Sequence, residues 1–280
     1  ISDCLVGSEM CIRDRIVPDI HEDLSFLKSI LAHEDLDSFD HVVLLGDYFD
    51  PWGVANPGAD LLRQVAETLL EMKQLLGERL HMLCGNHDLP YYALRPVCGE
   101  NSGKSNLVIA QWLRSTTLER AEIINAIWDE SFWNSLKGAV LLDGWLFSHA
   151  GVHSEWWPKG VSDPSAAYDS FQQRWQTAMD HIFVEAEDPI FGAGIARGGD
   201  SPYGGPLWLD WDDEFEDTLD FPQIVGHTRG AKLRQKGRSF CIDMEQKAYA
   251  ILEDGELQLH VLPNHILGCD VGIPVVLDYF

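Results

Sequence analysis

His41-Val42-Val43-Leu44-Leu45-Gly46-Asp47-Tyr48-Phe49-Asp50 is the stretch that decides the fold. The aliphatic run behind His41 is too short for a helix and reads as a buried strand, closed by Gly46. Two carboxylates, Asp47 and Asp50, follow at once. The same arrangement stands on either side. Arg15 to Pro18 is the end of a strand running into Asp19-Ile20-His21, and Leu80 to Cys84 is a strand running into Gly85-Asn86-His87-Asp88. Helices separate the three. Glu22 to about Ala32 places Leu24, Leu27, Ile30 and Leu31 at helical spacing, and Ala59 to Leu76 repeats apolar residues at Leu62, Val65, Leu69, Met72 and Leu76. Alternating strands and helices imply a parallel sheet with right-handed crossovers. Such sheets gather their sites beyond the carboxyl ends of the strands, which is where Asp19, Asp47 and Asn86 fall.

Downstream the rhythm changes. Pro90 to Leu136 (residues 90–136) is helical and carries Trp112, Trp128 and Trp133, so it reads as a helical insertion beside the site. Val140 to Leu142 and Trp145 to Ser148 form a hairpin through Asp143-Gly144. A helix is expected from Asp163 to about Glu185. Ile190 to Asp217 is rich in Gly, Trp and Asp, and short strands follow from Phe221 with a second Asp-Gly turn at Asp254-Gly255. Two further segments, His149-Ala150-Gly151 and Gly226-His227-Thr228, also trail strands. The expectation is one α/β domain over residues 15–262, a two-sheet sandwich parallel in its N-terminal part and antiparallel later, with residues 263–280 as a C-terminal extension.

A chain of 280 residues, 45% hydrophobic, can bury a full core. It has no charge-free apolar run of membrane-spanning length, so it reads as soluble, with no membrane contact. A formal net charge of −25 argues against nucleic acid as a partner, because a polyanion would be repelled everywhere except where bound cations reverse the sign. Six cysteines form no dense disulfide framework, and Cys84 reads as a reduced strand residue. The cytoplasm is the expected compartment. Residues 1–14, Ile1 to about Asp14, resemble translated sequencing-adapter DNA rather than a natural N-terminus and are set aside from functional argument.

The five polar segments, in this order, resemble the motif set of the calcineurin-like metallophosphoesterases, from about Val17 to Leu262. The resemblance implies a four-layer αββα sandwich of two mixed sheets and a site for two divalent metal ions, manganese first, with iron, zinc, nickel or cobalt as the other candidates. It implies Asp19 and His21 on the first ion, Asp47 bridging, and Asn86, His149 and His227 on the second. The residue types suit that task. Carboxylate, imidazole and amide oxygen are hard or borderline donors, and no thiolate is among them. A carboxylate has two oxygens and can serve two cations about 3.5–4 Å apart. The resemblance further implies that His87 protonates the leaving group, that Asp50 holds it, and that Asp88 orients a ligand or a bound water. Taken singly, the segments have blander readings: Gly46 and Gly85 as turn glycines, Asp19 as a helix cap, His149 as an ordinary strand-end histidine.

Departures from the family pattern narrow the branch. Arg229 stands where many members have a second histidine, which implies the phosphoprotein-phosphatase and diadenosine-tetraphosphatase branch. That branch usually follows the second-motif Asp with Arg-Gly, whereas Pro51-Trp52 follows Asp50 here, so a phosphate-clamping arginine is missing from its usual place. Arg197, in Ala196-Arg197-Gly198-Gly199, is the best substitute, with Arg229 and Arg95 weaker. The implied activity is hydrolysis of phosphomonoesters by direct attack of a metal-bound hydroxide, in the manner of serine/threonine phosphatases. The substrate would be a phosphorylated small molecule or a phosphoprotein. The alternatives are a dinucleoside polyphosphate hydrolase and a binding scaffold without chemistry.

Overall fold

The computed structural model describes residues 12–33, 35–54, 58–95, 115–183, 188–262 and 275–276. In chain order the strands are β1 (Arg13–Val17), β2 (His41–Leu44), β3 (Leu80–Met82), β4 (Ala139–Leu142), β5 (Trp145–Ser148), β6 (Gln223–Val225), β7 (Arg234–Lys236), β8 (Ser239–Cys241), β9 (Ala248–Glu253), β10 (Glu256–Val261) and β11 (Val275–Val276). The helices are α1 (Leu24–His33), α2 (Ala59–Leu76), α3 (Leu89–Ala93), α4 (Leu118–Ile127), α5 (Glu130–Asn134) and α6 (Pro164–His181). One mixed sheet runs β11-β10-β9-β1-β2-β3 and the other β4-β5-β6-β8-β7.

Side-chain alternation explains how the sheets stack. Ile16, Val43 and Leu45 point from the first sheet toward Phe147, Ile224 and Phe240 of the second and its flanks, forming the core between them. Val17, Val42 and Leu44 point the other way, under Leu27 of α1 and Leu62, Val65 and Leu69 of α2. Phe171 and Trp175 of α6 join the same apolar continuum as Ala139 and Leu146 of the second sheet. Removing a side chain such as Leu69, fully buried, would cost about 2–5 kcal/mol. No helix among the described residues is long and apolar enough to cross a membrane.

Several boundaries differ from the sequence reading. Helix α1 starts at Leu24 because His21 and Glu22 have left-handed φ values of 46° and 58°, which no helix accepts. Strand β3 stops at Met82 because the chain then turns to Lys137: the Lys137 amide donates to Met82 O and the Cys84 amide to Lys137 O. Strand β1 begins at Arg13, so it takes in Arg13 and Asp14 from the segment set aside. The C-terminal part is not purely antiparallel. β5, β6 and β8 are parallel, which the long connection from His149 to Pro222 permits. The Asp143-Gly144 hairpin forms as expected, with φ of 48° and 81°. Pro164–His181 forms as a helix under an Asp163 cap, while residues 184–187 lie outside the described ones. Of the helical insertion, residues 96–114, with Trp112, lie outside them too, as do residues 1–11 and most of 263–280.

Candidate active site

Five loops converge at the carboxyl ends of parallel strands. Asp19 and His21 follow β1, Asp47 and Asp50 follow β2, and Asn86, His87 and Asp88 follow β3. His149 follows β5 and His227 follows β6. The backbone is strained there: Asp47, Asp50 and His227 have φ of 50°, 65° and 64°, beside the values at His21 and Glu22. Hydrogen bonds hold the strain. The amides of Ile20 and His21 donate to Asp47 O at 3.0 and 2.8 Å. Asp88 accepts the amides of Asp47, Tyr48 and Gly85 at 2.8–2.9 Å, tying the second loop to the third. Gly85 is no generic turn residue: a Cβ there would sit 2.1 Å from Asp47 Oδ1. A Cβ at Gly226 would sit equally close to Asp19 Oδ1.

The six residues expected as ligands meet in one buried pocket. His21 Nε2 lies 3.8 Å from Asp19 Oδ2 and 3.7 Å from Asp47 Oδ2, and His149 Nε2 lies 3.4 Å from Asp47 Oδ2. His149 Nε2 is also 3.0 Å from Asn86 Oδ1 and 3.2 Å from His227 Nδ1. His21 Nδ1–H donates to the carbonyls of Phe49 and Asp50, and His149 Nδ1–H to Leu45 O, so each ring turns Nε2 into the pocket. Two groups of donor atoms, each within 4.8 Å, can be drawn: His21, Asp47 and His87, and Asp47, His149 and His227. Asp47 belongs to both.

Charge and satisfaction fit a cation. Asp19, Asp47 and Asp243 are all at most 2% exposed in this one region, a costly crowding of carboxylates unless positive charge offsets it. Burial and Asp243 hold Asp19 well above the usual carboxylate range. Burial works the same way on Asp47, yet His149 and His87 hold it low. Burial drives His21 down to about 4. It also opposes charge on His149, which Asp47 and Asp19 nonetheless lift to about 9. His227 is pushed well below its ordinary value by burial and by His149, and its Nε2 is buried with no hydrogen-bond partner. The nitrogen of His227 that faces the pocket is Nδ1, 3.2 Å from His149 Nε2, and its lone pair there suits a divalent ion.

His87 stands beside this group. Its Nδ1 is 3.0 Å from Asp50 Oδ2, and its own amide donates to Asp47 Oδ1 at 2.8 Å. Burial disfavours its charge, but Asp47 and Asp50 outweigh that and raise its pKa. A cavity of about 460 Å³ opens above Asp47, Asn86, His87 and His227, and is lined by Arg197, Arg229, Thr228, Trp52 and Trp208. Arg197 is fixed by Asp210 Oδ2 at 2.8 Å and Thr228 Oγ1 at 3.0 Å. Arg229 lies over the Trp52 ring at 4.5 Å and reaches Glu245 at 3.4 Å. Arg95 is not among these: it pairs with Glu130 in the helical region. The sequence reading did not single out Trp52, Trp208 or Thr228. Pro51-Trp52, in place of Arg-Gly, was the one signal pointing to the first.

The family described as calcineurin-like phosphoesterase matches residues 15–229 of the chain. No curated protein matches at a significant level. Among solved structures, the cold-active protein-tyrosine phosphatase of the psychrophile Shewanella sp. aligns with a TM-score of 0.57 at 16% identity, over 89% of this chain and 78% of that one. A mutant cold-active protein tyrosine phosphatase gives 0.59 at 18% identity, over the same shares. A protein serine/threonine phosphatase of Saccharomyces cerevisiae gives 0.46 at 16% identity, over 95% of this chain and 78% of that one. At these identities the likeness of the first two is one of fold.

Proposed function

The chain belongs to the calcineurin-like phosphoesterase family and is a phosphoric ester hydrolase, and on that footing we propose that it cleaves phosphomonoesters at a site for two divalent ions, in the manner of serine/threonine phosphatases. The observation that carries the reading is the place of Asp47 between the two sets of donors, its Oδ2 3.7 Å from His21 Nε2 and 3.4 Å from His149 Nε2. Asp19 and His21 would hold one ion with Asp47, and Asn86, His149 and His227 the other, with manganese the first candidate. Two such ions supply a nucleophile near neutral pH and neutralise phosphoryl oxygens. The chain's own residues do the rest. Arg197, already fixed by Asp210 and Thr228, offers its guanidinium to the phosphoryl oxygens together with Arg229. His87 gives its Nδ1–H to Asp50, and the neighbouring Asp47 and Asp50 favour the imidazolium, whose second proton stands on Nε2 for the departing oxygen. Asp88 acts from behind, holding the two ligand loops by their amides. A reducing cytoplasm is the proposed setting, supported by the buried, free Cys84 and Cys241.

Trp52 and Trp208 favour a second reading. Flat rings at the mouth of the cavity could stack a base, which would suit a dinucleoside polyphosphate. The deciding experiment loads the purified protein with manganese and compares p-nitrophenyl phosphate, phosphoseryl and phosphotyrosyl peptides and diadenosine tetraphosphate. Turnover of the monoesters, abolished by a chelator, is expected. A marked preference for diadenosine tetraphosphate would establish the second reading instead, and hydrolysis of none of these would overturn both.

A further inference from the structure

Behind His87 lies a buried chain of polar groups that no ligand role accounts for. Asp50 has both carboxylate oxygens engaged: Oδ2 by His87 Nδ1, and Oδ1 by the Tyr91 hydroxyl, which donates to it at 2.5 Å. The same Tyr91 oxygen accepts from Arg120 Nε at 3.0 Å, and Arg120 Nη2 lies 3.5 Å from Asp50 Oδ1. Arg120 is also paired with Glu22, whose Oε1 in turn accepts the Asp50 amide at 2.8 Å. Tyr91 is fully buried, and Glu22, Asp50 and Arg120 are 1%, 4% and 8% exposed. Arg120 projects from α4, which packs on α2 and α3 rather than on either sheet. The helical region (residues 90–136), which the sequence places beside the site, therefore reaches the catalytic edge through two side chains, Tyr91 and Arg120.

From this arrangement we infer that Tyr91 and Arg120 are positioning residues for His87, acting through Asp50. A carboxylate held at one oxygen only can rotate about its Cβ–Cγ bond and carry its imidazole with it. Fixing the second oxygen with a hydroxyl, and that hydroxyl with a guanidinium, removes the freedom and leaves His87 Nε2 with one direction to face. Glu22 serves the same end from the main-chain side, because it ties down Asp50 where φ is left-handed. The inference rests on the reading of His87 as the acid.

The test uses full-length Tyr91→Phe and Arg120→Ala, with Arg120→Lys as the conservative partner and metal content and Tm as controls. Tyr91→Phe deletes one oxygen and leaves the ring in its packing. On an alkyl phosphate it should lower kcat by about 10–100-fold with KM unchanged, the usual worth of a residue that orients a catalytic partner. On p-nitrophenyl phosphate, whose leaving group needs little protonation, the loss should be small. In a His87→Asn background the substitution should cost nothing further, because its target is gone; a purely structural role would persist there. Arg120→Lys should recover part of the Arg120→Ala loss. The His87 Nδ1–H proton resonance of the zinc-loaded protein, which depends on no substrate, should shift or vanish in Tyr91→Phe. An unchanged resonance, or equal losses on both substrates while His87→Asn itself discriminates between them, overturns the inference. If His87→Asn costs both substrates equally, the acid reading falls instead, and the resonance still decides whether Tyr91 orients the ring.

Discussion

Asp47 is the residue on which the site turns, since it alone contributes to both donor groups. Asp47→Asn removes a charge shared by both, so elemental analysis should find at least one ion lost per chain, with activity falling alongside. An unchanged metal content would remove the bridging role. Arg197 is held in place by Asp210 and Thr228 before any substrate arrives. Arg197→Ala should raise KM for phosphomonoesters or lower kcat, by roughly 10-fold or more if the group contacts the reacting phosphoryl, with the ions retained. No kinetic change would return it to the surface. The convergence of Asp19, His21, Asp47, Asn86, His149 and His227 was legible because each lies in a short motif behind its own strand, so local sequence already carries the geometry. Tyr91 and Arg120 were not legible. Tyr91 reads as an ordinary apolar helix position, and the chain between the two residues gives no hint that Arg120 Nε will meet its hydroxyl.

At the scale of single elements, α2 was readable from its first residue to its last because its buried stripe repeats without interruption and Gly77, at φ 57°, stops it. β3 was not, because a strand's end depends on which neighbour takes its next hydrogen bond. β1 carries a misfit. Asp14 is 1% exposed, neither of its oxygens has a hydrogen bond of good geometry, and burial together with Asp143 and Asp40 raises it from 3.8 to about 7, with the His41 amide opposing. A carboxyl whose folded pKa exceeds its unfolded one binds more protons when folded, so its contribution is fully present below pH 3.8 and is lost as pH rises through about 7. Asp14→Asn, which cannot ionise, should therefore be more stable than the parent at pH 8, by on the order of 2–4 kcal/mol, and the gap should close toward pH 4. Urea unfolding at the two pH values checks this. A parent more stable than the variant at pH 8 would show that Asp14 has a partner.

For the whole molecule the governing quantity is the net charge of −25. The arginines of the cavity are a local exception on an acidic body, so a dianionic substrate approaches against long-range repulsion. Salt screens that repulsion beyond about 10 Å at 0.1 M while leaving close contacts largely intact. Raising ionic strength from 10 to 150 mM should thus increase kcat/KM for a small phosphomonoester, and DNA should remain a poor substrate throughout. A fall in kcat/KM with salt, or efficient cleavage of DNA, would mean that the positive patch extends further than the cavity. The two-sheet architecture was legible because short apolar runs separated by turn signals mark strands of either direction. The parallel pairing of β5 with β6, and of β6 with β8, was not, since nothing between His149 and Pro222 states where the chain will return. With a single carboxylate, Asp88, Asp47 and Tyr48 are joined to Gly85, so the second and third loops form one mechanical part. The conformational entropy of ordering that cradle is lost when the chain folds, not when ions arrive. That part of the seat is tied by the chain's own hydrogen bonds and not by the ions it would hold.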